Sequence, residues 1–170
     1  IEQFIDYLRT GQEMPMEMAD LNAVLGEVIA AESGYEREIE TDLQAGEILL
    51  RMHPLSIKRA LANMVVNAAR YGNGWIKVSS GSELNRAWFQ VEDNGPGSKP
   101  EQRNHLFQPF VRGDSARITS GTGLGLAIVQ RIIDNHNGLL EIDTSERGGL
   151  LIRAWLPVPV AHVQGPVKES

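Results

Sequence analysis

Asn63 and Asn67 stand one helical turn apart in RALANMVVNAARYG, followed by Asp93-Asn94-Gly95-Pro96-Gly97 and then by Gly121-Thr122-Gly123-Leu124-Gly125-Leu126. A fold that uses all three islands must bring a helix face, a loop and a glycine run to one place. A helical amide oxygen can ligate a hard metal ion, a carboxylate can read the edge of a base, and glycines let backbone amides approach phosphates. Taken together, in this order, they describe a site for ATP.

With 170 residues, of which 42% are hydrophobic, the chain can bury one core. A formal charge of −6 and a pI near 5.2 argue against nucleic acid or an anionic membrane as partner, because both demand a basic field. An anionic ligand must then be met by local cations. No apolar run reaches the roughly 18 residues of a membrane span and no secretion signal is evident, so this piece is expected to be soluble and without membrane contact, and its lack of cysteine fits a reducing compartment such as the cytoplasm. The absence of cysteine excludes disulfides and thiolate metal sites. Ile1 at the start suggests an excised fragment.

Residues 1–19 read as a linker carrying the end of a helix, broken at Gly11 and Pro15. Leu21, Val24, Leu25, Val28 and Ile29 fall at helical spacing after Asp20, a suitable cap. Weak strand signals follow over 37–41 and 47–51, and then Pro54 opens the asparagine-bearing helix, which Gly72 and Gly74 end. Alternation over 75–78 and 87–91 predicts a hairpin with its turn between Gly81 and Asn85. A short helix is expected over 100–107, a polar stretch over 111–120, a helix over 124–135 ended by Gly138, and two last strands over 139–142 and 150–156. This order predicts an α+β domain over 20–158, with helices on one face of a mixed sheet. Residues 159–170 lack periodicity and are expected to be a disordered tail.

At about 100° per residue, Asn63, Asn67 and Arg70 share an arc of roughly 60°, opposite Ile57, Leu61, Val65 and Ala68. Tyr71 borders the polar side, offering an aromatic platform beside a cation and an amide. The bland alternative is a solvated helix face, but asparagine is a poor choice twice in a helix interior. Asp93 can accept the exocyclic amine of adenine and would repel the carbonyl that guanine presents there. Gly95 and Gly97 allow close backbone approach and Pro96 stiffens the loop; by itself the motif reads as an ordinary turn. Gly121, Gly123 and Gly125 lead into a helix whose first amides favour phosphate. A Rossmann reading fails, because the spacing is G-x-G-x-G and the preceding segment is polar rather than an apolar strand. Arg112, Arg117 and Thr122 lie in a segment suited to closing over a nucleotide, with Phe107 and Phe110 at its base. None of the four histidines has the partners of a catalytic centre.

These residues resemble the catalytic, ATP-binding domain of sensor histidine kinases, whose fold is shared with gyrase-type, mismatch-repair and chaperone ATPases. Asn63-x-x-x-Asn67 resembles the N box, Asp93-x-Gly95-x-Gly97 the first glycine box, Leu106-Phe107-Gln108-Pro109-Phe110 the F box, and Gly121-Thr122-Gly123-Leu124-Gly125-Leu126 the second glycine box. The resemblance covers about residues 20–157 and implies a two-layer α/β sandwich of the Bergerat type. It implies that Asn67 binds Mg²⁺, that Asn63 supports the phosphate side, that Arg70 neutralises phosphate charge and that Tyr71 and Asp93 hold adenine. Arg112 would lie near the γ-phosphate. Gly95, Gly97, Phe107, Arg117 and the 121–126 run, with Thr122, Leu124 and Leu126, would complete the nucleotide contacts. Ser98 departs from the family, which has an aliphatic residue there.

The resemblance further implies a protein-histidine kinase that moves the γ-phosphoryl group of ATP to a histidine on a separate dimerisation domain. It is strongest with osmosensing members, which implies relay to a response regulator of the OmpR type, an inner-membrane full-length protein, a homodimer in that protein and a monomer for this piece. No His-Glu with an Arg-Thr-Pro run, the family's phosphoacceptor signature, occurs in the chain. Hydrolysing relatives carry a glutamate four residues before the metal-binding asparagine, where this chain has Asn63, which favours the kinase over an ATPase. A nucleotide-sensing binding module and a weak ATPase are the competing readings.

Overall fold

The computed structural model describes residues 15–34, 38–97 and 125–159. In chain order they form β1 (Glu17–Asp20), α1 (Leu21–Glu32), β2 (Ile39–Asp42), β3 (Leu49–Met52), α2 (Pro54–Tyr71), β4 (Ile76–Glu83), β5 (Arg86–Asp93), α3 (Gly125–Asn135), β6 (Leu139–Thr144) and β7 (Leu150–Pro157). The short helix expected over 100–107, the polar stretch over 111–120 and, apart from residue 159, the tail expected over 159–170 lie outside the described residues.

Five strands make one mixed sheet in the order β2-β4-β5-β7-β6. β2 runs parallel to β4, and every other neighbouring pair is antiparallel. β1 and β3 form a separate antiparallel pair in which Glu17 faces Met52 and Asp20 faces Leu49. β1 thus begins at Glu17, inside the stretch read as linker. Its alternation is too short to register as a strand signal, and pairing with β3 makes it one.

The sheet has two chemically distinct faces because strand side chains alternate. Ala87, Phe89 and Val91 of β5 point to one face, opposite Leu156, Ala154 and Ile152 of β7, and all six are buried in the core. The helices cover this face. α2 contributes Ile57, Ala60, Leu61, Met64, Val65 and Ala68, and α3 contributes Leu126, Ile128, Val129, Ile132 and Ile133. Fully burying one such aliphatic side chain contributes about 1.5–3 kcal/mol, which is what holds the two layers together.

The opposite face is closed by its own polar rows. Arg153 Nε donates to Gln90 Oε1 at 2.7 Å, and its guanidinium lies 3.6 Å from Glu141. Trp155 Nε1 donates to Glu141 Oε1 at 2.8 Å, while the Arg86 guanidinium stacks 3.7 Å over the Trp155 ring. Gly81, expected in the hairpin turn, sits inside β4 opposite Trp88. The strands continue to Glu83 and Arg86, so the turn is only Leu84-Asn85; the Ser-Gly-Ser run lacks the apolar alternation that would have revealed this.

Helix starts follow their local chemistry. The Asp20 carboxylate accepts from the Asn22 amide at 3.1 Å and from the Ile48 amide at 2.9 Å, capping α1 and tying it to the chain ahead of β3. His53 caps α2 by accepting from the Ser56 amide, with Pro54 in the first turn where its missing amide proton costs nothing. α3 ends on Asn137 at φ 60°, and the Gly138 amide donates to the Ile133 carbonyl at 2.9 Å. Among the described residues no helix is long and apolar enough to cross a membrane.

Candidate nucleotide-binding site

α2 separates its faces as its periodicity requires. Leu61, Met64, Val65 and Ala68 are buried, Asn63, Asn67 and Tyr71 are half-buried, and Arg70 is exposed in the last turn. Asp93 is the last residue of β5 and, two and four positions after Val91 and Phe89, it points to the helix-covered face. It is 2% exposed, so its carboxylate lies between the sheet and the end of α2.

The loop after Asp93 is packed against that helix end. A Cβ on Gly72 would stand 3.1 Å from the Asp93 Cβ, and a Cβ on Gly95 would overlap the Tyr71 carbonyl oxygen. Gly95 is therefore the residue that lets the loop lie directly on the α2 terminus. The Asn94 side chain locks the same junction, its Oδ1 accepting from the Asn73 amide at 2.8 Å and the Trp75 amide at 3.2 Å. The structure thus brings Asp93 and Gly95 to the helix end that carries Asn67, Arg70 and Tyr71, with Asn63 one turn further back. Gly97 adopts φ 73° and approaches Gly148.

The Asp93 carboxylate is fixed from two sides. Its Oδ1 accepts from the Gly95 amide at 2.9 Å and from the Leu150 amide at 3.1 Å. The Ser145 hydroxyl donates to the Asp93 carbonyl oxygen at 2.6 Å. Next to it, Glu92 accepts from the Glu146 amide at 3.0 Å, and Lys77 reaches Glu146 at 3.4 Å. Burial pulls the Lys77 ammonium down, but the carboxylates of Glu146, Glu40 and Glu92 outweigh it and hold its pKa above the ordinary lysine value.

Of the glycine run, Gly125 begins α3 and Leu126 is buried in the core. Phe107, Arg112, Arg117, Gly121, Thr122, Gly123 and Leu124, together with Ser98, lie outside the described residues. Sequence reasoning missed Asn94 and Ser145. Asn94 sat within a recognised motif but passed for a turn former, and Ser145 falls in a connection that carries no nucleotide motif.

Among the described residues no group of three histidine or acidic side chains could hold a metal by itself. Mg²⁺ keeps several waters and takes only one or two protein oxygens beside substrate phosphates. The Asn67 amide oxygen is of the right hard-donor type.

The profile of the histidine kinase-, DNA gyrase B- and HSP90-like ATPases matches residues 52–160, and the chain belongs to that family. ATP is accordingly the nucleotide of its site. The NMR structure of the histidine kinase domain of the E. coli osmosensor EnvZ is 83% identical, with a TM-score of 0.71 over 94% of this chain and 99% of that one. Sensor histidine kinase CpxA of Escherichia coli K12 is 42% identical over 108 residues, 62% of this chain and 24% of its own length. Sensor protein RstB of the same strain is 37% identical over 158 residues, 88% of this chain and 36% of its own. The chain therefore spans about a quarter to about a third of these curated relatives. The family and these relatives agree with the resemblance carried by the four motifs.

Proposed function

We propose that this domain binds Mg-ATP between α2 and the Asp93 loop and passes the γ-phosphoryl group to a histidine on a separate dimerisation domain. The observation that carries the reading is the packing of Asp93 and Gly95 onto the end of α2, because it joins a base-reading carboxylate to a helix face bearing two amides and a cation. Tyr71 and Asp93 hold the adenine ring, and Asn63 and Arg70 face the phosphates. Asn67 holds Mg²⁺, which when bound offsets the charge that develops on the transferring oxygens. Arg112 and Arg117 add positive charge near the γ-phosphate, Phe107 anchors that segment, and Gly121 to Leu126 supply amides to the phosphate tail. The acceptor imidazole is the nucleophile, so this domain contributes positioning and charge neutralisation rather than a base.

By likeness to the EnvZ domain, the whole protein is an osmosensor of the inner membrane that works as a homodimer and relays phosphate to an OmpR-type response regulator. The present domain is a monomer by itself. Kinase is favoured over hydrolase because Asn63 occupies the place where a water-activating glutamate is needed.

Calorimetry with ATP, GTP and an uncleavable ATP analogue, with and without Mg²⁺, tests the site, and labelled ATP with separately made acceptor helices tests the transfer. Mg²⁺-dependent ATP binding and labelled histidine are expected. Tight binding without label on histidine would leave a nucleotide sensor instead, and steady phosphate release by the domain alone, lost in Asn67→Ala, would make it an ATPase.

A further inference from the structure

We propose that Ser145 is a positioning residue for base recognition, holding Asp93 in the orientation that distinguishes adenine from guanine. The inference rests on the adenine reading of Asp93 given above.

Ser145 opens the connection between β6 and β7. That connection is closed by its own backbone: the Ser145 amide donates to the Gly149 carbonyl at 2.9 Å, and the Gly148 amide donates to the Ser145 carbonyl at 3.0 Å. No side chain is needed to make the turn. The hydroxyl is nevertheless buried, at 5% exposure, and takes part in three further bonds. Its oxygen accepts from the Gly149 amide at 2.9 Å and from the Arg147 amide at 3.2 Å. Two donors on the oxygen leave the hydroxyl proton one direction, and it goes to the Asp93 carbonyl oxygen at 2.6 Å.

The turn therefore grips Asp93 at two points. Ser145 holds its main chain, and the Leu150 amide, just beyond the turn, holds its carboxylate through Oδ1. Gly149 makes room for this contact, because a Cβ there would overlap both the carbonyl oxygen and Oδ1 of Asp93. Glu92, the residue before, is fixed to the same turn through the Glu146 amide. A carboxylate can discriminate an amine from a carbonyl on a base edge only if its lone pairs are aimed within a narrow angle. Removing the hydroxyl releases the main-chain hold and leaves the Arg147 and Gly149 amides without that acceptor. The carboxylate then has a wider range of orientations, and the loss falls on the base contact rather than on the phosphates.

The experiment compares ATP and GTP affinities by calorimetry for the wild-type chain, Ser145→Ala, Ser145→Thr and Asp93→Asn. Ser145→Ala is expected to weaken ATP about tenfold while changing GTP less, so that the ATP:GTP ratio narrows. Ser145→Thr keeps the hydroxyl and restores the ratio. If Ser145→Ala does not fold, Ser145→Cys supplies a near-isosteric weak donor and should narrow the ratio part of the way. A wild-type ratio in Ser145→Ala or Ser145→Cys overturns the inference while Asp93→Asn still collapses it. A ratio unchanged in Asp93→Asn as well sinks the adenine reading and this inference with it. A ratio narrowed equally in Ser145→Thr would also overturn it, since the hydroxyl would then not be the cause.

Discussion

The backbone amide of His53 donates to Nε2 of His136 at 3.0 Å, while Nδ1 of the same ring meets the Ile132 carbonyl oxygen at 2.8 Å. With Nε2 accepting, the ring is neutral and carries its proton on Nδ1. One side chain thus clasps the end of α3 to the start of α2.

Burial pushes the His136 pKa below its ordinary value of 6.5; the Ile132 carbonyl pulls it upward, and nearby His53 pushes it down. Well above pH 6.5 neither the folded nor the unfolded imidazole carries an appreciable proton, and this group leaves stability flat. As pH falls below 6.5 the unfolded chain takes up the proton first, so stability falls until the folded pKa is passed. Urea midpoints measured from pH 7.5 to 5.5 should decline, and less so in His136→Gln. His136→Ala should cost about 1–3 kcal/mol at neutral pH, because the partly buried amide of His53 loses its acceptor.

Asp93→Asn should weaken ATP by roughly 1–3 kcal/mol, since an amide can place a donor against the adenine amine. The variant should stay folded, because its Oδ1 still accepts from the Gly95 and Leu150 amides. Unchanged ATP affinity by calorimetry would remove Asp93 from the base contact.

Asn67→Ala should abolish most of the gain in ATP affinity that Mg²⁺ provides. Asn67 is only half-buried on the polar side of α2, so the urea midpoint should move little. If titrations with and without Mg²⁺ still differ as in the unaltered chain, the metal is held elsewhere.

Gly81→Ala distinguishes a strand position from a turn. Its new Cβ would lie 2.5 Å from the Trp88 ring, so the indole must be displaced at a cost of about 1–3 kcal/mol, visible in tryptophan fluorescence. A residue in an open turn would tolerate the same change.

The helices and the central strands were legible because their patterns run long enough to read: Leu21 to Ile29 and Ile57 to Ala68 repeat at helical spacing, and Leu150 to Leu156 is a nearly continuous apolar run. The Asn63–Asn67 face and its proximity to the Asp93 loop were also foreseeable, the first from helical geometry and the second from the motif order. What the sequence hid depends on contacts between distant positions. Glu17–Asp20 is a strand only because Leu49–Met52 lies beside it. Gly81 looks like turn chemistry until Trp88 is seen across from it. Ser145 carries no signal at all, since its partner is 52 positions away. His136, which lacks the partners of a catalytic centre, matters for the amide it receives.

β7 is the last strand of the described residues yet lies between β5 and β6 in the sheet. During synthesis, β5 must wait with one unpaired edge and its Ala87, Phe89 and Val91 side chains incompletely covered until residues 150–157 leave the ribosome. That edge stays unpaired over the whole interval between the making of β5 and the making of β7, and the sheet completes itself only when β7 arrives.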